Sequence, residues 1–198
     1  MGSISLKTKS KSNNLTAPGD VDLGAMIPIA TSTVGAGGVA TVTFSSIPAN
    51  YEHLQLRYIT RNNRSGQSVD AINIRANSDT AANYANHRLQ GDGSSVSSSG
   101  GTSLGYAIFG QTTASTATAS VFAVGIMDIL DYSNTSKYKT FRTLSGFDAN
   151  AAPGYIGLYS GLWQSTSAIN SLTISSNDGS GILQYSSFAL YGIKKAGA

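Results

Sequence analysis

Apolar and polar residues alternate with a period of two in segment after segment of this chain, and the segments are bounded by Gly, Ser, Asn and Pro. The clearest lies near the end, at residues 187–193. There Phe188 and Leu190 alternate with Ala189, Tyr191 and Ile193, so side chains of both parities are apolar. Such a strand is expected to be covered on both faces or to lie against a second sheet. It reads as the core strand that closes the fold, joined as a hairpin to Ser171–Ser175 through the turn-rich Asn177–Gly181.

Upstream, residues 26–34 and 39–44 flank Gly35-Ala36-Gly37-Gly38 and read as a first hairpin, with Pro28 placing the first strand at a sheet edge. Residues 53–61 alternate well, with Leu54, Leu56 and Tyr58 inward and His53, Gln55 and Arg57 outward. Residues 70–76 repeat the pattern with Ile72 and Ile74 in the core. The pattern then weakens. Residues 84–90 form a possible strand, Gly91 to Gly101 reads as a Ser/Gly loop, and 104–109 is a short apolar patch. It resumes at 119–131, where β-branched content around Gly125 predicts a long, buried, bulged strand, followed by a hairpin partner at 137–144 and a strand at 155–163 that ends on the single Trp163. Eight or nine strands and no helix result. The expected fold is all-β, a two-sheet antiparallel β-sandwich of jelly-roll type, with an extended N-terminal arm over 1–24 and the sandwich domain over 25–198.

Composition narrows the chemistry. At 198 residues one domain can bury its own core, and the absence of cysteine removes disulfides, thiolate zinc sites and thiol nucleophiles. No apolar run reaches the length of a spanning helix, and the start lacks the apolar region of a secretory signal and the motif for myristoylation. Five of the thirteen basic residues sit in the two tails. Residues 12–193 carry eight basic against ten acidic side chains, so the body is mildly acidic and a nucleic-acid face is not expected.

No catalytic constellation stands out. His53 is on the outward face of a regular strand and His87 in a weakly patterned segment, which argues against a Ser-His-Asp triad. Glu52 is the only glutamate, and Asp128 and Asp131 read as turn caps beside a strand end, so a glycosidase pair is not expected. Asp20 and Asp22 have the spacing of a calcium loop without its further carboxylates. Gly91-Asp92-Gly93 opens no helix and lacks a phosphate-loop lysine. Ten tyrosines and Trp163 leave a carbohydrate-stacking surface open as an alternative. The sequence is therefore expected to carry no enzyme activity, no catalytic residue, no metal and no cofactor.

Several stretches resemble small virion proteins of tailed bacteriophages. They are Pro18–Pro28, Ile47–Arg57, Asp131–Thr140, Gly161–Thr166 and Phe188–Lys194, so the likeness spans most of the chain. The resemblance implies a β-sandwich module that acts as a capsid decoration (cement) protein or forms the end of a tail fibre, commonly as a homotrimer. A short arm in place of a long shaft favours the capsid. The implied partners are the major capsid protein and the chain itself, with no nucleic acid and no membrane, at the virion surface after synthesis in the host cytoplasm. Lys7, Lys9 and Lys11 would face an acidic capsid surface, with Leu15 and Met26 adding apolar contacts. The alternative is a receptor- or glycan-binding tail module.

Overall fold

The computed structural model describes residues 25–149 and 154–195. Twelve strands and no helix occur among them: β1 (Met26–Thr33), β2 (Thr41–Phe44), β3 (His53–Thr60), β4 (Val69–Ala76), β5 (Tyr84–Gly91), β6 (Val96–Leu104), β7 (Ala107–Thr113), β8 (Ala123–Leu130), β9 (Lys139–Phe147), β10 (Tyr155–Trp163), β11 (Leu172–Ser176) and β12 (Ser187–Ile193). They form two sheets, an eight-stranded one in the order β1-β12-β3-β8-β9-β10-β5-β6 and a four-stranded one in the order β2-β11-β4-β7. All ladders between strands are antiparallel. Without the hairpins β5–β6 and β9–β10, the remaining eight strands lie as β1-β12-β3-β8 over β2-β11-β4-β7, the strand order of a jelly roll. The two hairpins are insertions, and both extend the large sheet beyond β8.

The core lies between the sheets and is built from the inward parity of each strand. Leu54, Leu56, Ile72, Ile74, Leu172, Ile174, Phe188 and Leu190 are fully buried. Tyr58 stands near the centre, edge-on to Phe109 and stacked with Phe188, and its hydroxyl donates to Ser145 Oγ at 2.8 Å. Burial raises its pKa well above the usual tyrosine value. Gly125 opposes it on β8, because a Cβ there would collide with the Tyr58 ring. This glycine therefore makes room for a ring. It does not mark a bulge, and the ladders of β8 with β3 and β9 run without a register shift.

Strand positions from periodicity hold for β1, β3, β4, β8, β9, β10, β11 and β12, and Pro28 does lie on an edge strand. Pairings between sequence neighbours fail twice. The segments 26–34 and 39–44 do not form a hairpin: Gly37 and Gly38, at φ of 90° and 72°, carry the chain from the large sheet to the small one, where β2 pairs with β11. The last two strands separate in the same way, β11 between β2 and β4, and β12 between β1 and β3. Short connectors in a sandwich can cross between layers as readily as they close hairpins, and alternation does not distinguish the two. The Ser/Gly stretch is also a strand. Residues 96–104, with no apolar face of their own, are held by the ladder to β5 at the free edge.

Candidate functional site

Glu52, His53 and Asp131 lie together, each half-buried, with ligand atoms within 4.8 Å of one another. Two of the three already have partners. His53 Nδ1 accepts the backbone N–H of Asp131 at 3.0 Å, and Asp131 Oδ2 receives the Lys137 ammonium at 2.6 Å. That ammonium holds the Asp131 carboxyl below the usual carboxylate range, so Asp131 already has a cation as its partner. Lys139 is fully buried and has a depressed pKa from desolvation, yet its ammonium donates to the carbonyls of Asn134 at 2.6 Å and Lys137 at 2.8 Å. It clamps the β8–β9 turn. Asp128 departs from the expected turn cap: it lies within β8 on the outer face, bonded to Arg142 Nη2 at 2.8 Å and Gln55 Nε2 at 3.0 Å. Asp92 is a cap, accepting from the backbone N–H groups of Ser94 and Ser95 at the β5–β6 turn. His87 is exposed on β5, on the opposite parity from Arg88.

A different surface stands out. The outer face of the extended sheet is aliphatic where a solvent-facing sheet is normally polar. Ladder pairings set side by side Ile126 on β8, Leu144 on β9, Leu158 on β10 and Leu89 on β5, which together form a ridge across four strands. One pleat along runs a second row, Val124, Gly146, Ile156, Gly91 and Val96. With Ile59 on β3, the eight aliphatic side chains are between 39 and 75% exposed. Glycine at alternate positions notches the second row, and a groove of about 1150 Å³ runs there between Val124, Gly146, Ile156 and the Gly91–Ser94 turn. Charges flank the rows at both ends. Arg142, paired with Asp128, lies one pleat before the ridge, and Asp148 follows β9 beyond the notched row and is exposed.

Of the arm residues expected to bind a partner, Lys7, Lys9, Lys11 and Leu15 lie outside the described residues, as do Asp20 and Asp22. Met26 opens β1, half-buried, at the opposite edge of the sheet from β6. Trp163 is buried, stacked on Tyr84 with centroids 6.4 Å apart, and its indole N–H donates to Asp79 Oδ2 at 2.7 Å. It offers no ring for stacking a sugar. Tyr138 and Tyr185 are the tyrosines that stand well exposed among the described residues. The aliphatic face was missed because strands apolar on both parities, such as 119–131 and 155–163, are expected to be buried on both sides. Among the described residues only one side is covered.

Comparison of the chain with protein-family models, with curated proteins and with solved structures gives no match.

Proposed function

We propose that this chain is a non-enzymatic structural protein of a bacteriophage virion, a capsid decoration protein that strengthens the head shell by self-association and by attachment to the major capsid protein. The resemblance of its sequence to such proteins supports the virion setting. The observation that carries the structural role is the aliphatic outer face of the large sheet, since a contiguous exposed face of that size marks a site of interaction. Burial of that face over many equivalent positions of a shell would add small local terms into a large resistance to internal pressure. The basic segment with Lys7, Lys9 and Lys11 would supply a salt-sensitive attachment to an acidic capsid surface.

Particles assembled without this protein test the reading. They are expected to release DNA at lower temperature and under milder osmotic shock than complete particles. Particles that keep full heat and osmotic resistance but fail to adsorb to cells would replace it with a receptor-binding tail module, for which the exposed Tyr138 and Tyr185 rings are the candidate glycan contacts.

A further inference from the structure

We infer that the aliphatic face of β8, β9, β10 and β5 is a two-fold interface in which a second copy of this chain packs face to face on the first. The inference rests on the self-association part of the proposed function and names the surface and its symmetry. What identifies the occupant is the complementarity of the face to itself. A two-fold axis lying across the strands, between the ridge and the notched row, reverses strand direction and exchanges the two rows. Leu144 of one copy then comes over Gly146 of the other, and Leu89 over Gly91, so that side chains enter notches on both sides of the axis. Ile126 meets Val124, and Leu158 meets Ile156. Sheets packed face to face interdigitate in this manner at about 10 Å separation.

The charges obey the same operation. Along β9 the residues pointing outward run Arg142, Leu144, Gly146 and, just past the strand, Asp148. Rotation about the axis brings Arg142 of each copy to Asp148 of the other, so opposite charges close both rims. A foreign partner would need no such internal match between the two rows of one face. The eight exposed aliphatic side chains supply roughly 600–800 Å², close to the roughly 800 Å² per partner of a standard interface. Aliphatic positions fill the centre and charges the rim, the usual anatomy of a specific contact.

The purified full-length chain tests this by sedimentation and native mass measurement. The wild type is expected to form an even-numbered assembly, and Leu144→Asp is expected to weaken it about 100-fold while the thermal melt stays cooperative. Arg142→Asp and Asp148→Arg should each loosen the assembly, and combining them in one chain should restore it. Because the chain has no native cysteine, mixing Arg142→Cys with Asp148→Cys chains should give a disulfide-linked pair containing one of each. A wild type that stays monomeric up to roughly 100 μM, or an odd-numbered assembly such as the trimer implied by resemblance, overturns the two-fold contact. So does a mass unchanged by Leu144→Asp. The virion reading is tested on particles and the contact on the isolated chain, so either can fail while the other stands.

Discussion

Strands β3 and β5 are both eight residues long, lie in the same sheet, and turn opposite chemistry inward. β3 buries Leu54, Leu56 and Tyr58 and shows Gln55 and Arg57 to solvent. On β5 the inward parity carries the buried Tyr84 and then Asn86, Arg88 and Gln90, while Ala85, His87 and Leu89 point out. The difference follows from what lies beneath each strand. Under β3 is the small sheet, which supplies apolar partners. β7 is the last strand of that sheet, and past it the inward face of the extension meets polar groups: Gln111 Nε2 donates to Gln90 Oε1 at 3.0 Å, and Arg88 Nε donates to Ser99 Oγ at 2.7 Å. Past Tyr84 the inner side of β5 is polar, and its exposed aliphatic side chain, Leu89, lies on the outer side. The inserted hairpins thus share the core through Tyr84, Phe141 and Trp163 and carry the exposed aliphatic face on their outer side.

Replacing Trp163 would produce the largest effect, because it anchors β10 to the base of the fold. Trp163→Ala removes the stack on Tyr84 and leaves Asp79, whose carboxyl the indole N–H helps to hold below its ordinary pKa, without that donor. A loss of about 3–5 kcal/mol in denaturant unfolding is expected. A loss under about 1 kcal/mol would mean that the inserted hairpin is not part of the cooperative unit.

Two leucine truncations then separate the faces directly. Leu54→Ala on β3 opens a cavity in the core and should cost about 2–5 kcal/mol, whereas Leu89→Ala on β5 should change the stability of the isolated subunit by less than about 0.5 kcal/mol. Unfolding measured at low protein concentration checks this. Equal costs for the two would show that the outer face is already buried within one chain.

The sequence carried the strands but not their partners, for reasons visible in particular residues. Phe188 and Leu190 announce a core strand by local alternation, and Pro28 announces an edge by what it cannot donate. Nothing local tells β12 that its partners are β1 and β3, or β11 that its partners are β2 and β4, since those ladders join residues between 96 and 167 positions apart. β6 was hidden because Ser97, Ser98, Ser99, Gly100 and Gly101 carry no apolar alternation and are placed by the ladder to β5. The candidate face was half legible. Ile156 and Leu158 beside Tyr159 and Trp163 mark a strand that wants cover on both sides, and among the described residues the structure supplies cover on one.

Asp128 gives the smallest and most discriminating test, because it shares Arg142 with the rim of the proposed contact. Burial alone would raise its pKa, but the bonds from Arg142 and Gln55 outweigh burial and hold the carboxyl below the ordinary range. A depressed carboxylate contributes stability above its unfolded pKa of about 3.9, and that contribution is lost as pH falls through the lower folded value. Arg142 is mostly exposed, so the pair is worth less than about 1 kcal/mol and fades with added salt. Asp128→Asn should therefore flatten the acid limb of the stability curve slightly and change little near neutrality. Its effect on association has the opposite sign from that of Arg142→Asp. Freed from Asp128, Arg142 is more available to Asp148 of the second copy, so assembly should hold or tighten modestly at low salt and lose that gain above about 0.15 M. If Asp128→Asn instead loosens the assembly as much as Arg142→Asp does, Asp128 itself crosses the interface and the axis lies nearer that end of β9.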